Sequence, residues 1–351
     1  EFVVRYRDER QPLPAIDLTA SSATLTAMIN DYPPDQLFAR QIQALAQPND
    51  LLIVFAAGNS GYDYESDQVM PESLGGTGST SKNTLVVGAS GPVELNMQGS
   101  VYELAEDMLF FSSQGPCADG RIKPDLVAPG MTFSANTHYA NRINLGCCDV
   151  YGHTMYSSDN EDDNCDVDED WPTFGTSFSS PLVAGVAALT RQYFTEGYWA
   201  RGRAPPEHGI LPSNALLKAM LIAGAKPLEG VMQGMGSALP LDAPQSSVQG
   251  WGRANLERDL AFNQGDLKTL VLADVPNPVP DNPMLTGEGA LHPAGLSPLA
   301  TGDEASWSLP ALRDPGFLSV CLVWSDPPAS PGDNPTLVND LDLELELADG
   351  S

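Results

Sequence analysis

Ser177 lies in a segment whose residue types suit nucleophilic chemistry. It follows Gly175 and Thr176 and opens an apolar stretch that predicts a helix from about Ser177 to Phe194. The N-terminus of a helix presents free N–H groups and the positive end of the helix dipole, which both stabilise developing negative charge. A serine hydroxyl there is suited to attack a carbonyl carbon if a base removes its proton. Taken alone, Gly-Thr-Ser before a helix is also an ordinary N-cap.

Asn59 lies in a second segment of interest. It lies in the turn Gly58–Gly61 (GNSG), directly after the apolar run Leu51–Ala57, which predicts a strand buried on both faces. In open α/β sheets the carboxyl ends of parallel strands carry the functional groups. Taken alone, Gly-Asn-Ser-Gly is simply a turn.

The elements around these two residues predict an α/β fold. The helix that starts at Ser177 is apolar nearly all round, so we expect it to be central and buried. Helix, buried strand, loop and buried strand in succession are typical of a parallel sheet. The other expected elements are a helix that ends before Pro48, strands at Thr84–Val87 and Leu109–Phe111, and a helix at about Ser213–Ala223 with Ser213 as its N-cap.

The pattern changes near Leu267, where a second domain is expected to begin. Proline and glycine separate short runs of alternating apolar and polar residues, which is typical of an antiparallel β-sandwich. The expected strands are Leu267–Val271, Ala305–Leu309, Phe317–Trp324 and Leu341–Leu347. We therefore expect a first domain over residues 1–266, with a loop insertion at about 131–174, and a partial sandwich over residues 267–351.

Several segments together resemble one family. Gly175–Gly185 (GTSFSSPLVAG) closely resembles the nucleophile segment of the subtilisin-like serine proteases, the subtilases, and Phe55–Gly61 (FAAGNSG) is similar to their oxyanion segment. Further segments similar to the family, in its order, are Phe111–Pro116, Gly120–Gly130, Gln249–Leu256, Trp324–Pro328 and Leu337–Leu343. The resemblance implies a subtilisin-like parallel sheet with helices on both faces, in the subgroup that carries a C-terminal β-sandwich.

The resemblance also implies an activity, namely hydrolysis of peptide bonds in a polypeptide substrate through an acyl-enzyme on Ser177. Asn59 and the Ser177 N–H would then stabilise the oxyanion. The residues expected to bind substrate are Ala56, Ala57, Gly58, Gly175 and Thr176, and the small residues among them would admit a large apolar side chain. No cofactor is required for this chemistry.

The same resemblance exposes missing parts. Subtilases carry their catalytic Asp and His ahead of the oxyanion Asn, yet no histidine precedes Asn59, and the Ser-x-Gly strand of the family is also absent. His153, in Gly-His-Thr, falls on the wrong side of Asn59, and Asp17 has no histidine at a useful spacing. Three explanations stay open: a fragment of an active protease, an inactive subtilase kept for binding or assembly, and a two-chain enzyme whose Asp and His lie on a companion segment.

Net charge and cysteine content indicate which partners and which cellular compartment to expect. The net charge of −29 argues against nucleic acid or an anionic membrane as partner, because phosphate binding requires clustered Lys and Arg. No apolar run approaches the roughly 18 residues of a membrane span. Five cysteines without a C-x-x-C pair favour one or two disulfides and hence a secreted or secretory-lumen protein. Cys165 has Cys147, Cys148 and Cys117 as candidate partners.

Residues 159–170 form an acidic run in which eight of twelve residues are Asp or Glu. Asp166, Asp168 and Asp170 alternate, and their carboxylates are the hard oxygen ligands that a structural Ca²⁺ prefers. A solvated acidic loop is the alternative interpretation. A calcium-dependent adhesion module is a further candidate function that this run leaves open.

Overall fold

The computed structural model describes residues 52–63, 65–66, 68–92, 95–97, 100–102, 104–132, 173–200, 209–233, 238–260, 272, 274, 299–306, 318–330 and 333–346. The chain divides into two compact units. One contains residues 54–183 and 226–254, and the other contains residues 1–53, 184–225 and 255–351. The helix expected ahead of Pro48 and the strand expected at Leu267–Val271 lie outside the described residues. The division into domains at residue 267 stays a prediction.

Twelve strands are found in the described residues. They are β1 (Val54–Ala56), β2 (Tyr62–Asp63), β3 (Gln68–Val69), β4 (Leu85–Ser90), β5 (Leu95–Met97), β6 (Ser100–Tyr102), β7 (Met108–Leu109), β8 (Leu126–Pro129), β9 (Met131–Thr132), β10 (Thr173–Phe174), β11 (Val231–Gln233) and β12 (Ala238–Pro240). The α-helices of the same residues are α1 (Gly76–Thr80), α2 (Thr176–Thr195), α3 (Asn214–Ala223) and α4 (Leu256–Asp259), and Tyr198–Ala200 form a 3₁₀ turn.

The main sheet is organised around β4, which pairs in parallel with both β1 and β8. All six residues of β4 are buried, as expected for a parallel strand covered on both faces. The sheet continues through β7, β11 and β12, of which β7 and β11 are parallel and the other pairs antiparallel. This mixed sheet with helices confirms the α/β class. Apolar residues on its strands pack into two clusters, one around Met108 and Val127 and one around Leu109 and Phe111.

The second unit has an apolar core of its own. It is formed by Tyr193 and Phe194 of α2 with residues of α3, among them Leu217 and Met220. Ser213 caps α3, because its hydroxyl accepts a hydrogen bond from Leu216 N at 3.0 Å. The predicted helix and its N-cap are therefore both confirmed.

Two elements differ from expectation in extent or burial. The run Leu51–Ala57 forms only the three-residue β1, whose residues are half-buried, although Ala57 itself is buried. Helix α2 begins at Thr176 as expected, but Leu182 and Leu189 are 51% and 42% exposed. Burial of an apolar side chain is favourable, but whether it is buried depends on neighbouring segments. The sequence of the helix does not specify those segments.

No strand forms in the described parts of the sandwich segments, residues 318–324 and 341–346. Leu343 and Leu345, which alternate with acidic residues as a strand face would, are 51% and 59% exposed. Alternation assigns side chains to faces, but a strand also requires a neighbour whose N–H and C=O groups complete the ladder. The strands expected at Phe317–Trp324 and Leu341–Leu347 are therefore not observed.

Candidate active site

Asn59 stands in a tight turn directly after β1. The chain reaches it through Ala57, whose N–H donates to Val87 O at 2.9 Å and whose carbonyl accepts from Gly75 N at 2.9 Å. Gly58 has φ of +111°, a conformation that residues with a Cβ rarely adopt. A Cβ on Gly58 would lie only 2.8 Å from Ser113 Oγ. The glycine is thus required by both the backbone conformation and the close packing.

Ser177 lies in the first turn of α2 and is exposed. The approach to the helix is fixed by Gly175, whose N–H donates to Gly130 O at 2.8 Å, at the end of β8. The Gly175 carbonyl in turn accepts from Phe178 N at 3.0 Å. The serine therefore lies on an exposed helical turn next to the end of β8.

Thr176 joins the two segments. Its N–H and its hydroxyl both donate to Asn59 Oδ1, each at 2.9 Å, and its hydroxyl accepts from Gly58 N at 3.2 Å. Since a backbone N–H can only donate, the oxygen of the Asn59 amide must face the helix and the Nδ2 group must face away. Nδ2 has no hydrogen-bond partner among the described residues, and Asn59 is exposed. The amide is therefore free to donate to a ligand.

The free Asn59 amide and the helix N-terminus border the same space. A Cβ placed on Gly175 would lie 3.4 Å from Asn59 Nδ2 and 3.8 Å from Ser177 N. Gly175 has no side chain to fill this space, which Phe178 Cδ2 also borders at 3.9 Å. Two N–H donors thus surround a position beside Ser177, and a small anionic oxygen is the kind of group that they suit.

The structure brings together five of the residues predicted for the site, namely Gly58, Asn59, Gly175, Thr176 and Ser177. Ala56 ends β1 and is half-buried, and Ala57 is fully buried, so their contact with substrate stays a prediction. Thr176 is only 1% exposed, which favours a positioning role for its hydroxyl. The predicted calcium ligands Asp166, Asp168 and Asp170 lie outside the described residues, as do His138, His153, His208 and His292.

Sequence reasoning missed one residue that contacts the turn. Ser113 is fully buried; its N–H donates to Gly58 O and its hydroxyl accepts from Ser60 N, both at 2.9 Å. It stands in Phe111–Pro116, a segment recognised only as similar to the family. A single buried serine between two polar residues produces no periodic pattern in the sequence. Its hydrogen-bond partners are therefore visible only in the three-dimensional structure.

Lys123 and Asp125 form a buried ion pair ahead of β8. Lys123 Nζ lies 2.6 Å from Asp125 Oδ2, and the two side chains are 3% and 8% exposed. Lys123 also donates to Thr84 O at 2.8 Å, and Asp125 accepts from Val86 N at 2.7 Å. The pair therefore ties the start of β8 to β4.

Glu106 belongs to a more exposed charged cluster. Its carboxylate lies 2.5 Å from Lys226 Nζ and 3.6 Å from Arg253 Nη2. The hydrogen bond from Lys226, assisted by the charges of both cations, lowers the pKa of Glu106, although partial burial opposes the effect. Arg253 also donates to Ala105 O. The cluster fastens the loop before β7 to the segments on either side of β11.

Cys117 and Cys321 are free thiols in this structure, and Cys165, considered above as a partner of Cys117, lies outside the described residues. Burial raises the pKa of Cys117, and it raises the pKa of Cys321 to about 11, so neither is present as the reactive thiolate at neutral pH. The other three cysteines lie outside the described residues. In the part of the chain that the structure describes, no cluster of His, Cys, Asp or Glu suits a metal ion, and no helix is long and apolar enough to cross a membrane.

Comparisons with known proteins give two kinds of relative. Two Dictyostelium discoideum proteins named serine protease/ABC transporter B family protein, tagD and tagB, are 29% and 28% identical to this chain over 67% and 68% of its length. The chain spans only 13% and 12% of those relatives. A phosphoheptose isomerase of Shewanella pealeana is 50% identical over 62 residues, which are 17% of this chain and 32% of that protein.

A solved structure, that of the prenylagaramide maturation protease PagA, aligns over 72% of this chain and 69% of its own with 19% identity and a TM-score of 0.33. That likeness alone supports no structural conclusion. The profile of the subtilase family, by contrast, matches residues 21–252, which are most of the chain and include the Asn59 turn and the start of α2. With the family segments in order and the two relatives named as serine proteases, the chain belongs to the subtilase family.

Proposed function

We propose that this chain carries the nucleophile and the oxyanion site of a subtilisin-like serine endopeptidase. The observation that supports this most directly is the space that the missing side chain of Gly175 leaves beside two nitrogen atoms. Asn59 Nδ2 and Ser177 N border it, at 3.4 and 3.8 Å from the position that a Cβ on Gly175 would occupy. Ser177 Oγ belongs to the residue whose own N–H is one of these donors. A carbonyl group placed there would present its carbon to the hydroxyl and its oxygen to the two donors.

In the proposed reaction, Ser177 Oγ attacks the carbonyl carbon of the scissile peptide bond and a base takes the hydroxyl proton. The negative charge that forms on the carbonyl oxygen is stabilised by Asn59 Nδ2 and Ser177 N–H. The tetrahedral intermediate then expels the amine, which receives the proton from the base, and leaves an ester on Ser177. Attack by water, assisted by the same base, releases the acid and restores the hydroxyl.

The reaction also requires a base and an acid that orients it. No histidine of this chain precedes Asn59, where the resemblance expects the base. We propose that a companion segment supplies a catalytic His and Asp, either on the same polypeptide or on a second one. Without a base, the arrangement would retain only the weak catalysis that an oxyanion site provides. The substrate class is a polypeptide, the setting extracellular, and Ala56, Ala57 and Gly58 are proposed to line the pocket for one of its side chains.

A second candidate function is a catalytically inactive component of an extracellular assembly. An inactive subtilase would keep the fold and the Asn59 turn as a scaffold for binding.

Labelling with a fluorophosphonate probe separates these two functions. The natural protein, purified from its source with any associated chain, is treated with the probe beside a Ser177→Ala variant expressed in the same way. We expect the label on the peptide that contains Ser177 and none on the variant. Absence of label from a natural protein that is folded by circular dichroism would reject the protease and support the inactive component.

A further inference from the structure

We propose that Ser113 is a positioning residue that holds the Asn59 turn in the geometry required for oxyanion binding. The inference rests on the proposed function, because it assigns a task to a residue that contacts neither substrate nor reacting atoms. It concerns the backbone of the turn, whereas Thr176 contacts mainly the Asn59 side chain.

Ser113 bonds to the residues on both sides of Asn59. Its N–H donates to Gly58 O at 2.9 Å, and its hydroxyl accepts from Ser60 N at 2.9 Å. One residue therefore fixes the peptide groups that precede and follow Asn59. With both ends held, the direction of the Asn59 Cα–Cβ bond is determined.

The contact is close and buried. Ser113 is fully buried, and its Oγ lies where a Cβ on Gly58 would approach to 2.8 Å. The absence of a side chain at Gly58 is therefore what allows the hydroxyl to reach past it to Ser60 N–H. Removal of the hydroxyl would take from Ser60 N–H the partner that holds it.

The two hydroxyl residues have separate tasks at Asn59. Thr176 sets which atom of the amide faces the helix, through its two bonds to Oδ1. Ser113 sets where the whole residue stands. A donor displaced by about 1 Å can lose roughly 10²-fold in rate, so small movements of the turn would affect the reaction strongly.

Ser112 provides a matched control. It is 1% exposed, and its hydroxyl also accepts one backbone N–H at 2.9 Å, but from Ala89 of β4. Replacing Ser112 or Ser113 by Ala removes the same atoms and the same kind of bond from adjacent buried positions. Of the two hydroxyls, the one on Ser113 is the one that bonds to the Asn59 turn.

The experiment compares Ser113→Ala and Ser112→Ala in the complete natural protein, with any companion chain, using a chromogenic peptide substrate. We expect Ser113→Ala to lower kcat about 10-fold or more with little change in KM, and Ser112→Ala to keep kcat within about 2-fold. Both variants should lower Tm by a similar amount, about 2–4 °C. In protein with ¹⁵N-labelled Asn, the side-chain amide signal of Asn59 should broaden or shift in Ser113→Ala only.

Equal loss of kcat in both variants, or an unchanged kcat and Asn59 signal in Ser113→Ala, would overturn the inference. Failure of the proposed function has a different signature. In that case the wild-type protein shows no turnover, while the Asn59 signal still reports whether Ser113 positions the amide. A signal altered in Ser113→Ala alone would then support the positioning role in a protein that is not a peptidase.

Discussion

At the scale of single residues, the chemistry available to Asn59 depends on the direction in which its amide points. Thr176 occupies Oδ1 with two donors, so only Nδ2 is left to face a ligand. The sequence predicted that Asn59 and Ser177 belong to one site, because each stands in a recognisable segment. The assignment of Thr176 to the substrate-binding residues stays a prediction. The direction of its hydroxyl in a buried junction is not encoded by spacing.

The role of Thr176 can be tested with a pair of variants. Thr176→Val keeps the shape and the backbone N–H but removes one of the two bonds to Oδ1 and the acceptor for Gly58 N. We expect kcat to fall about 10-fold, less than the roughly 10²–10³-fold loss that removal of an oxyanion donor itself causes in a serine protease. Thr176→Ser keeps the hydroxyl and should stay near wild type in the same peptidase assay. Equal activity of both variants would contradict the role.

At the scale of elements, β4 and β8 are joined by side chains as well as by their ladder. The ion pair of Lys123 and Asp125 is buried, and each partner also bonds to the backbone in or next to β4. A buried pair contributes little net stability compared with apolar residues, but removal of one partner leaves an uncompensated charge. The pair therefore acts as a specific connection between two strands whose apolar residues alone would tolerate other registers.

We expect Lys123→Met to lower the free energy of unfolding by about 3–5 kcal/mol, because Asp125 would remain buried without its cation. The double variant Lys123→Met/Asp125→Asn should recover a substantial part of that loss, since the amide oxygen of Asn can still accept from Val86 N. Urea unfolding of the wild type and both variants measures the difference. A double variant no more stable than the single one would show that the buried charge is not the cause.

The cluster of Glu106, Lys226 and Arg253 predicts a pH dependence. The pKa of Glu106 is lowered from its ordinary value of 4.5, so the folded protein binds this proton less readily than the unfolded chain. The resulting stabilisation is complete above the unfolded value and is lost as the pH falls through the lowered one. Because Glu106 is 37% exposed, the effect is partly screened by solvent.

Glu106→Gln should therefore be less stable than the wild type at pH 6, and the difference should shrink as the pH falls below 4.5. Thermal melts from about pH 6 to about pH 3 measure this convergence. Lys226→Met serves as a second variant, since removal of the main partner should weaken the same pH dependence. A gap between wild type and Glu106→Gln that stays constant with pH would contradict the prediction.

The elements also show why some sequence predictions succeeded. The extent of α2 and α3 was predicted within one residue, because an apolar run and a Ser N-cap are local signals. The alternating run at Leu341–Leu347 is equally clear, yet its described residues form no strand. A helix completes its hydrogen bonds within its own segment, whereas a strand depends on a partner elsewhere in the chain.

At the scale of the whole molecule, the chain combines a subtilase match over residues 21–252 with a 62-residue stretch similar to phosphoheptose isomerases. It spans 13% and 12% of the two serine protease relatives. Family membership followed from short motifs in the sequence. The residue that acts as the base could not be predicted in the same way, because no motif of this chain contains a histidine ahead of Asn59.

Calcium binding by the acidic run at residues 159–170 can be tested through the stability of the whole protein. If Asp166, Asp168 and Asp170 bind Ca²⁺, saturating calcium should raise Tm, and a ligand at about 100-fold above its Kd contributes about 2.7 kcal/mol. The triple variant with Asn at these positions should lose the effect, and Mg²⁺, which requires a tighter octahedral site, should not replace Ca²⁺ in the wild type. Identical melting curves with and without calcium would favour the solvated acidic loop.

The hydrogen bonds around Asn59 have a consequence for the chemical ageing of the protein. Asparagine followed by a small residue deamidates when the next backbone nitrogen attacks the side-chain carbonyl carbon and expels ammonia. Water then opens the resulting succinimide to a carboxylate. Here Ser60 N–H is held by Ser113, and the side-chain carbonyl oxygen of Asn59 is held by Thr176. We expect peptide mapping after prolonged storage to find slow deamidation at Asn59 in the wild type and faster deamidation in Ser113→Ala. The contacts that hold the donor in place would thus also keep it from becoming a carboxylate, which repels the charge that the amide attracts.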